Sequence, residues 1–85
     1  CAFKLIQYMA CGVPVVASKI SANIELLGEN EDYGFLAKND LEWESKIELL
    51  INDKELRGYY GKLGQKRILS SYSLSSRKNQ FLSLF

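Results

Sequence analysis

Apolar residues recur at helical spacing over 2–11, with Ala2, Leu5, Ile6, Met9 and Ala10 on one face. Lys4, Gln7, Tyr8 and Cys11 fall on the other face, at i, i+3, i+4 and i+7. Gly12 stands where a left-handed residue closes a helix, and Pro14 two residues later keeps the helix from resuming. The run Val13-Pro14-Val15-Val16-Ala17 shows no polar alternation, which predicts a short strand buried on both faces, as in a parallel sheet. Pro14 is tolerable near the start of such a strand. The stretch that follows is polar and mixed, and a helical turn over 23–27, closed by Gly28, fits it. Tyr33-Gly34-Phe35-Leu36-Ala37 predicts a second short strand.

Asn39, with Glu42 three residues later, makes a capping-box pattern that opens a helix reaching about residue 52. Its apolar stripe is Trp43, Ile47, Leu50 and Ile51, with Trp43 read as a core anchor. Asp40, Glu42, Glu44 and Glu48 read as its solvated acidic face rather than as metal ligands. Asn52 and Glu55 repeat the capping pattern and predict a helix over 53–69, its turns marked by Leu56, Tyr60, Leu63 and Arg67. Gly58, Gly61 and Gly64 lie at period three on that helix; each costs about 1 kcal/mol relative to alanine, so the trio points to close packing, with a helix break as the alternative. Tyr72-Ser73 breaks the helix, and Ser73 caps a last one to about 84.

Strands separated by helical segments indicate an α/β layer, short parallel strands flanked by helices, rather than an all-α bundle. Two strands do not make a stable parallel sheet by themselves. Further strands are therefore expected upstream of Cys1, and the unpaired edge is expected to favour self-association.

Composition narrows the function classes. Eighty-five residues make one domain at most, and 47% hydrophobic with 25% charged residues argues against disorder. A net charge of +1 gives no electrostatic case for nucleic acid or an anionic membrane. No window approaches the roughly 20 apolar residues of a membrane span, and no secretory leader pattern is visible. The first residue is Cys1 rather than Met, so a piece of a longer protein is expected. Cys1 and Cys11 on one helix would stand about 15 Å apart, beyond disulfide reach, which predicts free thiols in a reducing compartment. The chain has no histidine, and so lacks the commonest general base and the commonest metal ligand.

The candidate chemistry lies at the start of the first helix. Ligands in open α/β sheets sit beyond the carboxyl ends of strands, where helices begin with free N–H groups and partial positive charge. Residues 1–5, including Phe3 and Leu5, would supply those amides, with Lys4 as an added cation. Gln7 lies one turn further in, where a side chain could reach a ribose. Spacing alone fits a plain helix start with a solvated lysine and a surface glutamine at least as well. Glu25 is the one carboxylate near that edge in sequence order, and it reads as a brace for the turn after the first strand. Neither G-x-G-x-x-G nor G-x-x-x-x-G-K-[ST] occurs, which weighs against an unrelated dinucleotide or P-loop domain.

The run Lys4-Leu5-Ile6-Gln7-Tyr8-Met9-Ala10-Cys11-Gly12-Val13-Pro14-Val15-Val16-Ala17-Ser18 closely resembles a motif of GT-B glycosyltransferases of the large retaining group 1 family. In that family a similar helix leads into a strand of the C-terminal Rossmann-like domain. Ser21-Ala22-Asn23-Ile24-Glu25-Leu26-Leu27 and Tyr33-Gly34-Phe35-Leu36-Ala37 resemble its later segments, in the same order. The helix carrying Trp43, with Leu49-Leu50 and residues 53–61, is similar to its C-terminal region, so the likeness covers nearly the whole chain.

The resemblance implies that residues 1–85 are the incomplete C-terminal portion of a nucleotide-sugar-binding domain. Members use two glutamates eight positions apart. The second, which contacts the donor ribose, matches Gln7; the first, which contacts the sugar, would precede Cys1. Amides at Phe3, Lys4 and Leu5 would bind the donor diphosphate, with no metal or other cofactor required. No catalytic residue carries over. Glutamine still hydrogen-bonds, but it lacks the charge-assisted bond of a carboxylate. The implied activity is retaining transfer from a nucleotide diphosphate sugar to a saccharide or lipid-linked acceptor hydroxyl, in bacterial capsule or lipopolysaccharide assembly. The implied place is the cytoplasm, peripheral at the inner face of the membrane. The acceptor domain is expected outside the chain, so the 85 residues alone are expected to be inactive. The alternative is a non-catalytic α/β binding or interaction domain that keeps the fold.

Overall fold

The computed structural model describes residues 2–71. Cys1, the break at Tyr72-Ser73 and the last helix expected to 84 lie outside the described residues. The elements run α1 (Ala2–Ala10), β1 (Val16–Ser18), α2 (Ser21–Leu27), β2 (Phe35–Ala37), α3 (Asp40–Asn52) and α4 (Lys54–Ser71). This is the expected α/β arrangement, a partial Rossmann-like unit in which β1 and β2 pair in parallel, Val16 opposite Phe35 and Ser18 opposite Ala37.

Local chemistry sets the ends of the elements. Gly12 closes α1 at φ +79°; its N–H donates to the Met9 carbonyl at 2.9 Å and the Val13 N–H donates to Tyr8 at 3.0 Å. These two bonds are the Schellman pair. They also explain why β1 starts at Val16 rather than Val13. The Val13 amide is committed to the helix end and Pro14 has none, so ladder bonding begins only where the Val15 carbonyl accepts from Phe35 at 3.0 Å. Similarly, the Tyr33 amide donates to Leu27, which delays β2 to Phe35. The first strand is not buried on both faces, since Val16 is only half-buried and Ser18 is exposed.

Asn39 caps α3 as expected, its Oδ1 accepting from the Glu42 N–H at 2.9 Å. The return bond lands one residue earlier than in a capping box, because Glu42 Oε1 accepts from the Lys38 N–H at 3.0 Å. At α4 the cap is Asp53 rather than Asn52, with its Oδ1 accepting from the Leu56 N–H at 3.0 Å.

The core joins Met9, Val15, Ala17, Leu26, Leu27, Leu36 and Ile68. Met9, Leu27 and Ile68 are wholly buried, each contributing about 1.5–3 kcal/mol. Of the stripe expected on α3, Leu50 is buried but Ile47 and Ile51 are exposed and Trp43 is only half-buried. Among the described residues Trp43 is therefore a groove wall rather than a core anchor. Gly61 and Gly64 are buried where α4 meets the end of α1, whereas Gly58 faces open space.

Besides its buried Ile68, helix α4 makes polar contacts to the other three helices. Gln65 Nε2 donates to the Ala10 carbonyl at the end of α1, 3.0 Å away. Arg67 donates from Nε to Leu26 and from Nη2 to Glu25 at the end of α2, both at 3.3 Å. Arg57 Nη1 donates to Leu50 and Ile51 at the end of α3, at 2.7 and 2.8 Å. One helix thus satisfies C-terminal carbonyls of the other three, groups that a helix leaves without internal donors.

Candidate functional site

Helix α1 and strand β1 form one side of an open groove of about 500 Å³. Lys4, Leu5 and Tyr8 of α1 line it, together with residues 13–18, Asn23 of α2 and Trp43 of α3. Lys4 and Tyr8 stand one turn apart and are exposed, as the helical spacing requires.

The groove follows the unpaired edge of β1. Val15 accepts from Phe35, and the Lys19 N–H donates to Ala37 at 2.9 Å. Odd-numbered residues of this segment therefore bond to β2, and the intervening Val16 turns its N–H and C=O outward. The Ser18 carbonyl, facing the same way, accepts from the Ile20 N–H at 2.8 Å and from Asn23 Nδ2 at 2.9 Å. Among the described residues nothing bonds to the Val16 main chain. Such a groove offers hydrogen-bonding main chain between apolar walls, with Lys4, Ser18 and Asn23 as its polar lining. Extended chain fits against the Val16 edge, and an anion suits the lysine and the helix start.

The expected site residues divide. Lys4 and Leu5 line the groove, whereas Phe3 and Gln7, on the same two turns of α1, are not part of its lining. Phe3 is exposed and Gln7 is half-buried with a polar partner of its own. The first amides of α1, through Lys4, are those a helix starting at Ala2 leaves without internal acceptors. Glu25 does not brace the turn after β1: its carboxylate is exposed, and the bond across that turn comes from Asn23. Trp43 is a groove residue that periodicity assigned to the core, whereas Tyr8 lies on the face it was expected to share with Lys4. The apolar body of Trp43 resembles a core position in sequence, and only the position of β1 shows what it flanks.

On α3, Asp40, Glu44 and Glu48 are exposed, in keeping with a solvated face, while Glu42 serves the cap. Among the described residues no three His, Cys, Asp or Glu groups gather in a way that could hold a metal ion. No helix among them is long and apolar enough to cross a membrane. Cys11 is a free, exposed thiol.

Residues 2–67 match the family model described as glycosyl transferases group 1. No curated protein and no solved structure matches the chain.

Proposed function

The chain belongs to the group 1 glycosyl transferases, and from that membership we propose that it forms part of the donor-binding domain of a retaining enzyme. The donor is a nucleotide diphosphate sugar, the acceptor a saccharide or lipid-linked hydroxyl, and the process bacterial surface polysaccharide assembly of the capsule or lipopolysaccharide type. The whole protein would act in the cytoplasm, at the inner face of the membrane. The observation that carries the donor assignment is the start of α1, where Lys4 stands on the groove beside main-chain amides that lack internal acceptors.

On this reading the amides of Phe3, Lys4 and Leu5 bind the diphosphate and the Lys4 ammonium offsets its charge. As the sugar leaves, these groups stabilise the charge growing on the diphosphate without a metal. Gln7 accepts from or donates to the ribose through its amide. The acceptor binds outside the 85 residues, which by themselves transfer no sugar. The open edge of β1 is the side on which this piece alone would self-associate.

The test is donor binding to the intact enzyme. A thermal-shift panel of UDP-, GDP- and ADP-sugars should give one stabilising family, through linkage. Lys4→Ala should weaken that donor about tenfold, in line with loss of one charge-assisted contact. Unchanged affinity would remove Lys4 from the site. The alternative, a non-catalytic α/β binding domain, draws on the neutral Gln7 at the carboxylate position. Donor binding without sugar transfer, restored to transfer by Gln7→Glu, would favour it for the native chain.

A further inference from the structure

The two edges of the β1–β2 sheet are treated differently. On β1 the outward Val16 main chain meets no partner among the described residues. On β2 the corresponding outward amide belongs to Leu36, and it is occupied: the Leu36 N–H donates to Glu31 Oε2 at 2.9 Å. A side-chain carboxylate thus sits where the carbonyl of a neighbouring strand would bind.

Every part of Glu31 is held for this. Its N–H donates to Gly28 at 3.0 Å and its carbonyl accepts from the Tyr60 hydroxyl at 3.0 Å. The backbone adopts φ +58°, the one non-glycine residue with positive φ among those described. Such a conformation persists only when surrounding bonds over-determine it. Lys46 Nζ of α3 pairs with the same Oε2 at 2.6 Å and lies 5.2 Å from the Phe35 ring centre. The ammonium anchors the carboxylate from outside, so a competing strand would have to displace a charge that is already paired.

We propose that Glu31 is an edge plug: it closes the outer side of β2 against strand addition, leaving the β1 side as the one along which the sheet can be extended. The device follows from edge-strand physics. An unpaired row of N–H and C=O groups templates association with another chain, and an inward-pointing charge is one way to block it. It does not depend on what the neighbouring groove binds.

The test compares Glu31→Ala, Glu31→Gln and Lys46→Met in the intact protein. Amide hydrogen exchange at Leu36 and light scattering across a concentration series are the two readouts. Glu31→Ala should speed Leu36 exchange about tenfold or more relative to Ala37 and produce concentration-dependent association. Glu31→Gln keeps an acceptor oxygen and should leave Leu36 protected and the protein dispersed. Lys46→Met should also leave Leu36 protected, since the bond to Glu31 remains. Protection of Leu36 in Glu31→Ala would overturn the proposal. If Glu31→Ala does not fold, Glu31→Asp, whose carboxylate reaches one methylene less far, decides: faster exchange at Leu36 while Ala37 stays protected would uphold the proposal, and unchanged protection of Leu36 would overturn it.

Discussion

Alanine at Gly61 and at Gly58 should move stability in opposite directions, although both lie on α4 three residues apart. Each replacement gains about 1 kcal/mol of helix propensity. At Gly58 nothing lies within 4 Å of the added methyl, so the gain should appear nearly whole. At Gly61 the methyl carbon would fall 2.4 Å from the Gly12 carbonyl oxygen and 3.3 Å from its carbon. The helix and the turn would have to part by roughly 0.6 Å to reach even the closest contact real side chains tolerate. The obstacle is main chain held by the Schellman bonds, so no side chain can rotate out of the way. Overpacking against fixed structure costs about 1–3 kcal/mol or more, and a rigid backbone belongs at the top of that range. Net loss should therefore be about 2 kcal/mol for Gly61→Ala against a gain approaching 1 kcal/mol for Gly58→Ala. Urea unfolding of the intact protein, read as midpoint at constant slope, measures both. A raised midpoint in Gly61→Ala would refute the close contact between α4 and the end of α1.

Four further outcomes follow from other contacts of the fold. Asp53→Ala should lose about 1 kcal/mol, whereas Asn52→Ala should lie within about 0.5 kcal/mol of the parent, because Asp53 holds the α4 cap; urea midpoints decide between them. Arg67→Met should cost about 1.5–3 kcal/mol by freeing the Glu25 and Leu26 carbonyls, and exchange should rise first at the end of α2. Partial burial would raise the Glu31 carboxyl, but the bond from Lys46, the Leu36 N–H and the charges of Lys46 and Lys19 outweigh it and hold the group below the ordinary carboxylate range. The folded value is thus depressed, so its stabilisation is present above the ordinary carboxylate value and is lost as pH falls through the folded one. An acid titration of stability should show a shallower loss in Glu31→Gln than in the parent. Burial, with the negative charge of Glu31 next, pushes the Tyr60 phenol above its ordinary value, so its contribution is present below that ordinary value and is lost as pH rises through the folded one.

The sequence by itself determined the element order, the helix stop at Gly12, the cap at Asn39 and the family motif from Lys4 to Ser18. These features rest on bonds between residues three to five apart or on side-chain periodicity, and both are visible in a linear string. Strand ends were less legible, because Val13 and Tyr33 look like strand residues while their amides are committed to helix ends. The tertiary structure alone decided which apolar residues are core: Trp43 and Leu50 share a stripe, yet one walls a groove and the other is buried. It alone showed that Gln65, Arg67 and Arg57 close three helix ends across up to 55 positions. It alone set Glu31 against the outer edge of β2. Such pairings depend on how the chain folds back on itself, and a carboxylate in a polar turn carries no local sign of the amide it will meet.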